Sequence, residues 1–315
     1  MTKALRTGAF ILLLISGSLG CEKRNDDTPA VRAPQPNPSP PSAGNPSASS
    51  SPPRVELVNA EISVPKGISP EKPVPFLLVL HGLGDSGTNF AERAGFAELS
   101  RARRFAYAAP DGTFDTIKRR FWNAWTACCD FDELRPDHVQ ALGELLEKAA
   151  RHPAIDKKRR YVLGFSNGGF MAHRLACEVP GLAAIASIAG AGPSPGEQCR
   201  APTSTAVLQV HGDLDKVITY GGGHTLSDPS LPLHPSAADT VSAWAKRNGC
   251  GAPDGTKALL DLVPELAGKE TSVLRYAGCS RTVELWTVKG GEHVITTDPA
   301  ALEQVIGFLE RQTSP

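Results

Sequence analysis

The sequence predicts an α/β fold class, a mostly parallel central sheet with helices on both faces. Three observations lead there. Residues 75–80, Pro-Phe-Leu-Leu-Val-Leu, form an unbroken apolar run, the pattern of a strand buried on both faces of a parallel sheet. Through most of residues 54–315, β-prone runs alternate with stretches of helical spacing. Several of those runs stop at short Gly- or Asp-bearing loops, where open parallel sheets carry their sites. Roughly 260 residues suit one large domain of this kind.

Taken in order, residues 55–64 mix β-branched and apolar residues and predict an early strand. The 75–80 strand ends in the glycine-rich loop His81-Gly82-Leu83-Gly84-Asp85-Ser86-Gly87. A helix is expected over 90–101, then a strand over 105–109 closing on Pro110-Asp111-Gly112. Residues 113–136 are irregular and hold Trp122, Trp125 and the Cys128-Cys129 pair. Asp137 can cap a helix running to about Arg151, with Val139, Leu142, Leu145 and Leu146 on its apolar side. Residues 161–165 form a strand that runs into Gly164-Phe165-Ser166-Asn167-Gly168, a G-x-S-x-G turn, and residues 170–178 show helical spacing behind it. Strands follow at 182–189 and 205–210, the second ending in His211-Gly212-Asp213-Leu214-Asp215. A helix over 237–247 precedes strands over 272–276 and 282–288, joined by a turn containing Gly278. Gly290-Gly291-Glu292-His293 leads to a closing helix over 300–311.

The N-terminal stretch reads differently. Lys3 and Arg6 precede an apolar core at 10–15 that is too short to span a bilayer, and Gly20-Cys21 follows. Residues 1–21 are therefore expected to be a signal peptide ending at a lipoprotein cysteine, although Ser18 stands where such sites usually carry Leu. An ordinary secretory signal is the alternative. Residues 22–53 are a Pro/Ser-rich linker without the apolar content to offset its ordering entropy, and 54–315 the catalytic domain. With 33 Lys+Arg against 33 Asp+Glu the chain has no basic stripe for nucleic acid. Setting Cys21 aside leaves six of the seven cysteines, an even number that fits export and disulfides, with fifteen connectivities open in principle. Cys128 and Cys129 are expected to staple the tryptophan loop, with Cys177 and Cys199 as partners. No Cys-x-x-Cys or His-rich spacing suggests a metal, and no cofactor is implied.

A serine hydroxyl is a poor nucleophile until a histidine takes its proton and an acid orients that histidine. Ser166 is the expected nucleophile, flanked by glycines because backbone packs closely on both sides of such a turn. Of the histidines beyond it, His224 and His234 lie in a Gly/Pro/Ser-rich stretch, whereas His293 follows a strand and precedes the last helix, so His293 is preferred as base. Asp215 is preferred as the acid over Asp213, which could close its own turn. The oxyanion would be met by the backbone N–H of Asn167 and, from the loop after His81-Gly82, that of Leu83. Trp122 and Trp125 are candidates to stack on a substrate ring. His173 is expected to be structural and His138 to lie at the surface.

At this point the chain resembles the exported esterase family that groups polyhydroxybutyrate depolymerases with feruloyl and acetylxylan esterases of the LpqC type, within the α/β-hydrolase fold. The matching pieces are His81-Gly82, Pro110-Asp111-Gly112, Trp122-Asn123 with Cys128-Cys129, the elbow with Ala176-Cys177, His211-Gly212-x-x-Asp215 with Tyr220-x-Gly222, Asn248-Gly249-Cys250, and Gly290-Gly291-x-His293. The resemblance implies Ser166, Asp215 and His293 as triad, a Cys250–Cys279 disulfide, and hydrolysis of a carboxylic ester, of a polymer or a small molecule, through an acyl-Ser166 intermediate. From the N-terminal pattern, contact with a membrane is expected only through a lipid at Cys21. The chain departs from the family at Asp137-His138-Val139-Gln140-Ala141, where Asp-Asp-Val-Gly-Phe is usual, and at Val294-Ile295-Thr296, where Trp-Pro is usual. A peptidase of the same fold and a non-catalytic, surface-tethered binding protein are the rival readings. An intact Ser166, Asp215 and His293 argues against the second.

Overall fold

The computed structural model describes residues 54–200, 204–255, 258–295 and 298–314. The expected signal peptide, Cys21 and the linker lie outside the described residues. Strands β1 (Val74–Leu80), β2 (Ala106–Ala108), β3 (Thr113–Phe114), β4 (Arg120–Phe121), β5 (Ile155–Phe165) and β6 (Ala184–Ile188) make up the first half of the domain. The second half holds β7 (Ala206–Gly212), β8 (Gly223–His224), β9 (Leu233–His234), β10 (Leu259–Leu260), β11 (Thr271–Arg275) and β12 (Val283–Val288). Eight of them form one sheet in the order β10-β11-β12-β7-β6-β5-β1-β2, while β3-β4 and β8-β9 are separate two-stranded ribbons. β11 pairs antiparallel with both β10 and β12, and the pairs from β12 through to β2 are parallel.

Alternation along the strands divides the core into two layers. Phe76, Leu78 and Leu80 of β1 pack with one set of helices: α3 (His138–Ala150), α4 (Asn167–Glu178) and α5 (Ala237–Arg247). Leu77 and Val79 face the other way, onto α1 (Gly87–Arg93), α2 (Phe96–Arg103) and α6 (Pro299–Glu310). Every residue of β1, β6 and β7 is buried. Each Leu, Ile, Val or Phe so placed contributes about 1.5–3 kcal/mol of transfer free energy. Because β1, β5, β7 and β12 run the same way, their C-terminal ends gather at one edge of the sheet, and the loops that follow them can meet there.

Four expectations need correction. Residues 55–64 make two isolated antiparallel bridges, Val58 to Asp111 and Ser63 to Tyr107, rather than a strand, because Asn59 between them turns to φ 55°. The helix expected over 90–101 is two helices, parted at Gly95, whose φ of 65° cannot belong to a right-handed helix. The central strand starts at Ile155, six residues before the expected Tyr161, since Ile155 already pairs with Val74. His138 is fully buried at the start of α3 instead of at the surface: its Nδ1 accepts from Asn123 N at 2.8 Å and its ring packs against Trp122. Asp137 caps that helix as expected, its Oδ1 accepting from Gln140 N at 2.9 Å.

Candidate active site

The turn from β5 to α4 puts Ser166 at φ 53°, ψ −119°, a sparsely populated conformation that persists only where surrounding contacts enforce it. Here they do. Ser166 N donates to Ile188 O at 2.8 Å, and Gly164 and Gly168 let three backbone segments interpenetrate. A Cβ on Gly164 would come within 2.0 Å of Gly168 O, and one on Gly168 within 2.3 Å of Leu80 O. The glycines are thus required by close approach of backbone to backbone.

His293, on the loop after β12, sets its Nε2 2.9 Å from Ser166 Oγ and its Nδ1 2.8 Å from Asp215 Oδ2. A carboxylate accepts only, so Nδ1 carries the ring proton and Nε2 is free to accept the serine hydroxyl. Asp215 Oδ1 accepts from Val217 N at 2.8 Å and Ile218 N at 2.9 Å. Burial pushes the Asp215 carboxyl up, but hydrogen bonds from His211, His293 and the backbone outweigh it and hold the group below the usual carboxylate range. Asp213 instead accepts from Gly290 N at 2.7 Å, tying the loop after β7 to the loop after β12. His224 and His234 turn their Nδ1 atoms to Leu231 O and Pro235 O.

The N–H groups of Leu83 and Asn167 donate to no acceptor among the described residues, and Leu83 lines the same cavity as Ser166. Both are held by side chains. His81 Nε2 accepts from Gly112 N at 3.0 Å, which puts its proton on Nδ1, 2.7 Å from Gly82 O, so the ring pins the loop that carries Leu83. Burial pushes His81 down and keeps it neutral for that task. Asn167 Oδ1 accepts from Trp122 N at 2.7 Å, and its Nδ2 donates to Trp122 O at 2.9 Å. Nothing in the motif G-x-S-x-G signals that second role of Asn167.

The cavity over Ser166 measures about 290 Å³. Its walls are apolar, with Leu83, Phe165, Val217, Ile218 and Leu226 prominent and the Cys128-Cys129 pair on one side. The tryptophans do not enter it. Trp122 is fully buried, its Nε1 donating to His81 O at 3.0 Å, so its indole supports the loop carrying Leu83 from behind and has no face left for a substrate. Trp125 lines a separate cleft, with the Arg174 guanidinium 5.8 Å over its ring. The cysteines pair as Cys128–Cys129, Cys177–Cys199 and Cys250–Cys279. The last is the pairing the resemblance implied. The expected staple from Cys128 and Cys129 to Cys177 and Cys199 is not made, because Cys177 on α4 meets Cys199 directly.

Residues 60–231 match the phospholipase/carboxylesterase family. A relative named as an esterase, NocK of Nocardia uniformis subsp. tsuyamanensis, is 31% identical over 269 residues, spanning 76% of this chain and 71% of the relative. Feruloyl esterase B of Piromyces equi is 25% identical over 244 residues, 74% of this chain but 42% of that longer protein. Among solved structures, the acetyl xylan esterase from Aspergillus awamori superposes with a TM-score of 0.58 at 14% identity, over 79% of this chain and 92% of its own. That likeness establishes the fold. The chain belongs to the phospholipase/carboxylesterase family and has the α/β-hydrolase fold.

Proposed function

We propose that the protein is a serine hydrolase that cleaves carboxylic esters through an acyl-Ser166 intermediate. The observation that carries this reading is the unbroken line Ser166 Oγ, His293, Asp215, opening on an apolar cavity. Ser166 Oγ attacks the ester carbonyl while His293 Nε2 takes its proton. The oxyanion is met by the N–H groups of Leu83 and Asn167. The imidazolium then returns the proton to the departing alkoxide, leaving the acyl-serine. Water attacks the acyl group by the same route in reverse, and Ser166 is regenerated. Asp215 stays ionised throughout and keeps His293 in the Nδ1–H tautomer. Each oxyanion donor accounts for about 3 kcal/mol of the barrier in comparable enzymes.

Two finer statements belong to the same proposal. The acyl group is one that fits an apolar pocket of about 290 Å³, with feruloyl and other short acyl esters the first to try, given the relatives' names. The protein is exported, which its three disulfides support, and anchored through lipid at Cys21.

The test is labelling with a fluorophosphonate probe beside Ser166→Ala, followed by turnover of p-nitrophenyl acetate, butyrate and longer esters. Labelling and turnover that vanish in Ser166→Ala are the expected result. A Ser166→Ala protein that retains turnover would overturn the mechanism.

A further inference from the structure

Behind Asp215 a line of polar side chains runs through the core, and no step of the reaction above touches it. Trp244, His173, Gln209 and His211 are each 3% exposed or less. Trp244 Nε1 donates to His173 Nδ1 at 3.0 Å. An indole can only donate, so His173 must carry its proton on Nε2, which lies 2.9 Å from Gln209 Oε1. Gln209 then presents Nε2, which donates to Gly190 O at 2.8 Å and to His211 Nδ1 at 3.1 Å. That leaves the His211 proton on Nε2, 2.7 Å from Ile218 O and 3.3 Å from Asp215 Oδ2. The Trp244 N–H, the Gly190 carbonyl and the Ile218 carbonyl each demand the same polarity independently. Burial pushes His173 down to about 4, so that ring stays neutral near neutral pH.

A core needs no such line for packing, since polar groups this deep are costly unless every one is satisfied and apolar residues would fill the space. The line ends on the oxygen of Asp215 that also receives His293. We propose that His211 is a positioning residue: with its tautomer fixed by Trp244, His173 and Gln209, its Nε2–H shares Asp215 Oδ2 with His293 and holds that carboxylate in register. This rests on the Ser166–His293–Asp215 reading. The other titratable groups facing the pair are His234, buried nearby, and Tyr220, whose ring meets His211 edge-on at 5.8 Å and whose hydroxyl bonds Thr287 Oγ1.

Two measurements on the full-length protein decide it. Long-range proton–nitrogen correlation spectra of the histidine rings read the tautomers without any reference to activity, and His173 and His211 are both expected as Nε2–H. A His211 Nδ1–H tautomer overturns the proposal even if Ser166 is the nucleophile. The second measurement is the pH profile of kcat/KM on p-nitrophenyl acetate for His211→Leu, which removes the donor, and His211→Gln, which can return one near the Nε2 position. In His211→Leu, kcat/KM should fall about tenfold, the ratio for a lost hydrogen bond to a charged acceptor. Its acid limb should move to higher pH, because the less stabilised carboxylate holds the His293 imidazolium more tightly. His211→Gln should recover most of both. An acid limb that stays put in His211→Leu, or a His211→Gln protein no better than it, means that His211 only fills space. Loss of Ser166 labelling dependence, by contrast, would count against the catalytic reading and leave the tautomer result standing.

Discussion

Replacing Gly168 with alanine tests the link between the elbow and the oxyanion hole. The new Cβ would meet Leu80 O at 2.3 Å and His81 O at 2.7 Å, both backbone atoms at the end of β1. Real Cβ contacts essentially never fall below 3.0 Å, so the segment must retreat by at least 0.7 Å. That segment leads directly into Gly82 and Leu83, so the retreat carries the Leu83 N–H away from the oxyanion while the Asn167 N–H, on α4, stays. Overpacking of this kind costs about 1–3 kcal/mol of stability, which corresponds to roughly 2–10 °C in Tm for a domain of this size. Loss of one oxyanion donor costs about 10²–10³ in kcat. The expected variant is folded, somewhat less stable, bound to substrate with KM little changed, and at least a hundredfold slower. Thermal unfolding and steady-state kinetics on p-nitrophenyl acetate read both effects. A Gly168→Ala protein with reduced Tm and wild-type kcat would refute the assignment of Leu83 as a donor, because the clash would then have moved that loop at no catalytic cost.

Two further predictions concern stability. Gly143, in the middle of α3, offers the opposite case: a Cβ there would meet only Val179 Cγ2 at an ordinary 3.6 Å. Gly143→Ala should therefore stabilise the protein by about 0.5–1 kcal/mol through helix propensity, read as a higher urea midpoint; a lower midpoint would contradict the packing described for α3. The second is acid lability. Burial pushes His173 down to about 4 and His138 to about 3, against about 6.5 in the unfolded chain. With the folded values depressed, the unfolded chain binds protons that the folded one refuses, so the stability is present above pH 6.5 and drains away as the pH falls towards 4. Each ring contributes on the order of 3 kcal/mol over that window. Urea midpoints should drop steeply between pH 7 and pH 4.5 and less steeply in His138→Gln; a flat profile in the wild type would show that the rings are reached by water.

The residues proposed to do the chemistry were legible because each breaks a local rule. Ser166 sits between Gly164 and Gly168, a residue type of poor strand and helix propensity placed at the junction of β5 and α4, and His293 and Asp215 stand just past apolar runs, where side chains of that polarity are not wanted for packing. The supporting residues break no such rule. His173 and Gln209 look in the sequence like an ordinary helix residue and an ordinary strand residue, since nothing local says that their side chains point at one another from α4 and β7. The same holds for Trp122: an indole in an irregular loop suggests a binding face, and only the meeting of that loop with Asn167 and His81 reveals it as a buried strut. Geometry, too, decided the cysteines, whose parity indicated bonds but not partners. What the chain leaves unwritten locally is therefore of one kind, pairings between elements distant in sequence. In this site those pairings hold Asn167 and the loop carrying Leu83, and they set the ring of His211 that lies 3.3 Å from the Asp215 oxygen shared with His293. The proposed nucleophile can be found from a motif, but the buried partners that set its surroundings are not contained in that motif.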